Sequence, residues 1–307
     1  MRESCNQASL ACFQKCFPTR VRNPMLSFLH RMRATRSLNP ISIFKRPLCP
    51  STAKSLPLSP LTRRANYTYQ SYNNYATNKT ILWSSITANV GVFLYWRYAY
   101  SQSRGSMADM LQGTLSSNSS KLWPIQFLNN NFLISWDHIR AGRYWTLITS
   151  AFSHQDLGHL AGNMFSLYAF GSVLMSAGLS PLVFTSILLG SAVAGNIGFL
   201  YHDRQTRLQN DGFRRRMHGL GASGAVLGVG TAAAMLFPTA PMLLFGIVPC
   251  PLGVLLLGYV WYDSYYLSDP MSVTGHAAHL GGAAFGAAAY MLYLRRFGGI
   301  LGRRRWK

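Results

Sequence analysis

The chain has 307 residues, 49% of them hydrophobic and only 12% charged, against roughly 25% charged in soluble domains. The shortage is of acid: 8 Asp plus Glu face 29 Lys plus Arg, the net charge is +21, and Glu3 is the only glutamate. So little charge does not cover a soluble surface of this size, whereas lipid covers a membrane protein without it.

The basic residues gather in 1–66, in 204–216 and in 295–307, and leave the long apolar stretches between them almost bare. That is how charge flanks membrane spans, and it argues against a nucleic-acid partner. Of the five cysteines, four (Cys5, Cys12, Cys16, Cys49) sit near the amino terminus and Cys250 lies far away; none forms a CxxC pair, so no disulfide framework is expected.

Residues 1–66 hold Arg2, Lys15, Arg20, Arg22, Arg31, Arg33, Arg36, Lys45, Arg46, Lys54, Arg63 and Arg64, with much Ser, Thr and Pro. An Arg-rich, Ser-rich, acid-poor leader is a mitochondrial targeting pattern, expected to be largely disordered. The other reading is a basic tail on some other membrane protein. Residues 67–80 read as a linker.

A helix needs about 20 mainly apolar residues to cross a bilayer. Six segments qualify or nearly do: 81–100, 157–177, 181–201, 220–237, 252–266 and 277–294. A long polar and aromatic loop, 101–155, separates the first two. The segment 236–251 contains Pro238, Pro241, Pro249 and Pro251, which break helices and predict a turn. The expected architecture is an all-α polytopic six-helix bundle over 81–294, followed by a basic tail, 295–307. Six crossings put both basic termini on one side, the matrix by the positive-inside rule. The basic loop 204–216 then falls opposite and runs against that topology.

Spans two, four and six start at the same face, and there the polar residues collect. His154, His159 and Asn163 open span two, Gly221-Ala222-Ser223-Gly224 opens span four, and His276 and His279 open span six. Polar groups at membrane depth are costly and usually face the bundle interior to do a job. His159 and Asn163, four apart, share a helix face. Gly221, Gly224 and Gly228, with Gly282 and Gly286, allow close backbone approach. Packing through them would bring Ser223 and His279 within hydrogen-bond reach.

A serine hydroxyl needs an adjacent base to become a nucleophile. His279 is that base in this reading, and afterwards the acid for the leaving amine. His159, the Asn163 amide and the Ser223 N–H are candidate oxyanion donors. No acidic third member stands out: Asp269 lies in a loop and Asp156 at the start of span two; an aspartyl protease is excluded separately, because it needs two intramembrane aspartates and Asp263 is the one plausible candidate. A Ser-His dyad is therefore expected, with no cofactor and no metal.

Alternatives stay open on the residues alone. Ser223 could be packing, and His276 and His279 could join His154 and His159 at a metal, a set without carboxylate or thiolate. A zinc HExxH protease is excluded because no glutamate follows Glu3. A transporter would use intramembrane His as proton relays. A catalytically inactive escort for membrane proteins would need none of this chemistry.

His154-Gln155-Asp156-Leu157-Gly158-His159-Leu160-Ala161-Gly162-Asn163, Gly221-Ala222-Ser223-Gly224 and Ala278-His279-Leu280-Gly281-Gly282 together resemble the signature of the rhomboid intramembrane serine proteases. The leader and the stretch 277–283 are similar to the mitochondrial branch, as found in fungi. The resemblance implies Ser223 as nucleophile, His279 as base, His159 and Asn163 at the oxyanion, and His154, Gly221 and Gly224 in support. It also implies cleavage of single-span proteins in the mitochondrial inner membrane, with the active site facing the intermembrane space. A dynamin-like GTPase or a cytochrome c peroxidase precursor are the implied kinds of substrate. Three features depart from the family: Leu227 where many members have an aromatic, Trp145-Thr146 with Arg143 nearby in place of a Trp-Arg pair, and no extra span found in 1–80.

Overall fold

The computed structural model describes residues 60–111, 119–209, 217–244, 247–267, 269 and 275–301. Most of the leader expected over 1–66 lies outside the described residues, as do 210–216 and the end of the basic tail.

The chain runs α1 (Pro60–Leu111), α2 (Ser119–Phe132), α3 (Trp136–Arg140), α4 (Thr146–Thr149), α5 (Leu157–Met175), α6 (Pro181–Gln209), α7 (Ser223–Leu236), β1 (Pro241–Leu244), β2 (Val248–Pro251), α8 (Leu252–Tyr265) and α9 (His276–Leu292). Among the described residues the architecture is helical apart from one two-stranded hairpin. Each of the six expected spans has a helix. Among the described helices α6 alone is long and apolar enough to cross a membrane by itself: its residues Pro181–Leu208 contain an 18-residue window of mean hydropathy 1.7.

Two expectations are corrected and a third is sharpened. Residues 67–80 are not an extended linker but part of α1. No Gly or Pro interrupts 61–90, and the segment docks: Asn78 Nδ2 donates to the Leu179 carbonyl at 2.8 Å and Asn74 Nδ2 to that of Gly178 at 3.4 Å. The loop 101–155 carries α2, α3 and α4 rather than irregular chain. It is tied down by Trp96, whose Nε1 donates to Ser153 Oγ at 2.9 Å, and by Ser153 Oγ donating to the Phe132 carbonyl at 2.8 Å. The proline-rich turn is the antiparallel hairpin, registered Met242 against Cys250.

α7 begins at Ser223 rather than at the expected Leu220. Gly221, at φ +119°, lies outside helical geometry and sets the helix start after it. Eleven of the 14 residues of α7 are buried, so it forms the centre of the bundle. α6 and α9 approach it backbone to backbone. A Cβ on Gly282 would overlap the Gly224 carbonyl, and one on Gly286 would overlap that of Gly228. On the α6 side, a Cβ on Gly195 would lie 3.1 Å from Gly224 Cα; α6 also meets α9 directly, where a Cβ on Gly195 would lie 2.8 Å from the Ala278 carbonyl oxygen and one on Gly198 2.6 Å from that of Ala277. Small residues are what permit such crossings in lipid, where dispersion replaces the hydrophobic effect.

Because backbone atoms cannot yield as a side chain would, Gly282→Ala is expected to destabilise the fold by about 1–3 kcal/mol, the usual scale of overpacking. Gly162→Ala is the control, since nothing lies within 4 Å of its Cβ position. Thermal unfolding of the two variants in detergent checks this; equal midpoints would refute the close-packing argument.

Candidate active site

The segment before α7 is anchored almost residue by residue. Gly219 and Ile134 exchange backbone hydrogen bonds at 2.9 and 3.0 Å, and the Gly221 N–H donates to the Ser150 carbonyl at 3.0 Å. Ser150 is held in turn by Asn196 of α6, whose Nδ2 donates to Ser150 Oγ at 3.0 Å and to the Leu147 carbonyl at 2.8 Å. The Ala222 N–H points at His154 Nε2, 3.5 Å away. Ser223 is therefore presented at the first position of a rigidly fixed helix. That helix has no side-chain cap, so its leading N–H groups and its positive dipole end are directed toward developing negative charge.

α5 supplies the second wall. Asp156 caps it by accepting the His159 N–H at 2.9 Å, which fixes His159 in the first turn. Its ring faces that of His154 with centroids 5.0 Å apart. A Cβ on Gly221 would lie 3.0 Å from His159 Cε1 and 3.9 Å from Ser223 Oγ, so glycine there lets the imidazole reach the serine's neighbourhood. Asn163 is buried, and its Nδ2 donates to the His159 carbonyl at 2.9 Å. One hydrogen of that amide is thus engaged within the helix, leaving the other for a ligand.

His154 stands just before α5. Burial, reinforced by the His159 imidazole, pushes its pKa from 6.5 down to about 4. The neutral ring keeps Nε2 as an acceptor for the Ala222 N–H; protonation would set donor against donor beside Ser223. Between about pH 6.5 and 4 the unfolded chain binds this proton and the folded chain does not. Stability is thus expected to be full above that window and to fall as the pH drops through it. Unfolding midpoints across that range, compared with those of His154→Gln, check this; identical pH dependence of the two would refute it.

The third wall corrects the sequence reading. Asp263, considered there only for aspartyl chemistry, is buried on α8 and engages both histidines of α9. His276 Nδ1 lies 2.6 Å from its Oδ1, and His279 Nδ1 lies 3.0 Å from both Oδ1 and Oδ2. With Nδ1 donating to a carboxylate, the lone pair of His279 is on Nε2, across the ring. The neighbouring backbone brings α9 to α7: a Cβ on Gly224 would lie 3.2 Å from the Ala278 carbonyl oxygen. His159 and His279 are also near enough to interact electrostatically. Neither Asp156 nor Asp269 holds the position of Asp263: Asp156 caps α5, and the Asp269 backbone closes a turn onto Tyr266.

His276, in the first turn of α9, engages Asp263. The donor set for a cation is correspondingly Asp263, His276 and His279, not the four-histidine group, because His154 and His159 pair with each other on α5's side. Asp263, Asn196 and Ser150 were not selected from sequence. The one signal available for Asp263 was a carboxylate in the last turn of an apolar helix. Of the family departures, Leu227 is buried in the core, while Trp145 and Arg143 bond to Asn131 at 3.0 Å and Asn130 at 2.7 Å.

Comparison with known proteins places the chain in a family. The Rhomboid domain family matches residues 141–296, a span that includes His154, His159, Asn163, Ser223, Asp263, His276 and His279. RHOMBOID-like protein 12, mitochondrial, of Arabidopsis thaliana is 34% identical over 224 residues, 70% of this chain and 58% of the relative. Rhomboid protein 1, mitochondrial, of Saccharomyces cerevisiae is 36% identical over 168 residues, 54% of this chain and 45% of the relative. The human presenilin-associated rhomboid-like protein, mitochondrial, is 27% identical over 229 residues, 70% of this chain and 48% of the relative. The chain thus spans about half the length of these relatives. It belongs to the rhomboid family, in the mitochondrial branch.

Proposed function

We propose that the chain is an intramembrane serine endopeptidase that cleaves single-span membrane proteins in the mitochondrial inner membrane. The observation that carries this reading is the carboxylate-oriented imidazole of His279 on a helix packed directly against the helix that begins with Ser223. Ser223 Oγ attacks the scissile carbonyl while His279 Nε2 takes its proton. Asp263 is a positioning residue: it fixes the tautomer and stabilises the imidazolium that forms. The oxyanion is met by the Ser223 N–H, His159 and the second amide hydrogen of Asn163. His279 then hands its proton to the leaving amine, and water resolves the acyl-enzyme.

The six helices α1 and α5–α9 serve as six spans in this proposal, with the protease domain over 81–294 and the site opening to the intermembrane space. The 14 residues of α7 rise about 21 Å, short of a hydrocarbon core about 30 Å thick. If α7 reaches the matrix-side boundary, Ser223 lies several ångströms below the opposite surface, where hydrolysis needs a polar cavity under α2–α4. A substrate helix must unwind there to expose a carbonyl. A dynamin-like GTPase and a cytochrome c peroxidase precursor are the substrates to try first.

The test uses detergent-purified protein and a fluorescent transmembrane peptide. Cleavage, together with labelling of Ser223 by a fluorophosphonate, is expected. Absence of both would overturn the protease reading in favour of an inactive escort.

A further inference from the structure

For orientation of a catalytic base, one carboxylate and one imidazole are enough. Here a second imidazole, His276, converges on the same oxygen of Asp263. His276 and His279 are three residues apart on α9, so both rings leave one face of the helix. Asp263 meets them from α8. The ligand atoms of the three residues lie within 4.8 Å of one another. Tyr262 and Tyr266 flank the His276 ring, with centroids 5.8 and 6.1 Å away, so the site is walled by aromatic rings.

We propose that Asp263, His276 and His279 bind a divalent transition-metal ion of the zinc type, and that its binding switches the peptidase off. The inhibitory half rests on the reading of His279 as the base. Two imidazoles and one carboxylate are the ligand set of an open four-coordinate zinc site, with water in the fourth place. The set is too poor in oxygen for calcium or magnesium. Zinc bonds of about 2.0–2.1 Å put tetrahedral ligands roughly 3.3 Å apart. The two Nδ1-to-carboxylate separations, 2.6 and 3.0 Å, therefore open by less than an ångström on loading, and the two imidazole ligand atoms, within 4.8 Å of each other, adjust to the same spacing. His279 is the most accessible member, at 17% against 4% for the other two side chains, so the ion enters past His279.

Inhibition follows from proton bookkeeping at the imidazole. Metal binding at Nδ1 of neutral His279 displaces the Nδ1 proton, and the ring carries its proton on Nε2 instead. His276 undergoes the same exchange. No net proton is released and no electron is moved; an ionised Asp263 leaves the loaded site with one positive charge. A protonated Nε2 cannot accept the Ser223 proton, so attack stops while the metal is bound.

The test separates metal binding from catalysis by using the full chain carrying Ser223→Ala, stripped of metal and titrated with Co(II) as the spectroscopic probe. One equivalent is expected to bind with the intense visible bands of four-coordinate cobalt, and Zn(II) is expected to displace it. Asp263→Asn and His276→Gln, each added to Ser223→Ala, are expected to weaken binding at least ~10-fold, as loss of a ligand or its support does. His276→Cys, added likewise, is expected to retain binding and gain a thiolate-to-cobalt charge-transfer band, which a purely structural role for His276 would not produce. Bands absent from the Ser223→Ala protein, or unchanged by all three further variants, would overturn the site. In protein with native Ser223, Zn(II) is expected to abolish peptide cleavage and a chelator to restore it. Tight binding with undiminished cleavage would overturn the inhibition. If cobalt binds as described in a chain without peptidase activity, the metal site stands and the protease reading falls.

Discussion

Ser223→Ala is expected to lower kcat for a transmembrane peptide by about 10⁴- to 10⁶-fold, the scale seen when a serine nucleophile is removed. The fold should survive, because the change deletes one oxygen at the first position of α7 while Gly221, Gly219 and Ala222 remain tied to Ser150, Ile134 and His154. The unfolding midpoint is therefore expected to stay within a few degrees of wild type. Fluorophosphonate labelling should vanish together with cleavage. Residual cleavage within ten-fold of wild type would remove Ser223 from the mechanism. A lost fold would instead make Ser223 a packing residue.

Asp263→Asn carries the second large effect. An asparagine amide presents an N–H2 group as well as an oxygen, and it can donate to His279 Nδ1 rather than accept from it. The favoured tautomer then carries its proton on Nε2, the wrong nitrogen for a base. By analogy with carboxylate-to-amide changes in other serine hydrolases, kcat is expected to fall by ~10²–10⁴-fold. KM should change little, since Asp263 is buried and has no role in holding substrate. A merely structural carboxylate would lower the unfolding midpoint without moving the histidine tautomer. Nitrogen-15 spectra of His279 in the inactive Ser223→Ala background separate the two: Nδ1–H with Asp263, Nε2–H with Asn. Full activity in Asp263→Asn would return the mechanism to a bare Ser-His dyad.

Helix positions were legible in the sequence because a spanning helix announces itself as a long apolar run, and α5 through α9 start or stop within a few residues of those runs except for the polar extension of α6 to Gln209. That extension is held by the Arg207–Asp203 pair at 2.9 Å, an i,i+4 contact that hydropathy does not register. The helical state of 67–80 was hidden for a related reason: its polar Asn74 and Asn78 find carbonyl partners at the α5–α6 turn, about a hundred residues away in the chain. The site's parity was legible too. His154, His159, Ser223 and His279 all stand near the leading ends of alternate helices, and helix direction alone carries them to one face.

Chain composition, apolar run length and the order of the polar residues thus dictated a helical membrane protein and the face on which its chemistry gathers. These are local or additive properties, fixed by how each stretch partitions between water and lipid. The partnership of Asp263 with His276 and His279 is of another kind. Asp263 and His279 are sixteen residues apart, on different helices, with a connecting loop between them. Nothing in the spacing fixes how α8 rotates about its own axis, and a single rotation step of about 100° per residue turns the carboxylate toward or away from α9. Packing chose that rotation, by placing Leu252 and Leu256 of α8 in the core. A carboxylate at Asp263 then faces the bundle, where the two imidazoles of α9 make its burial tolerable.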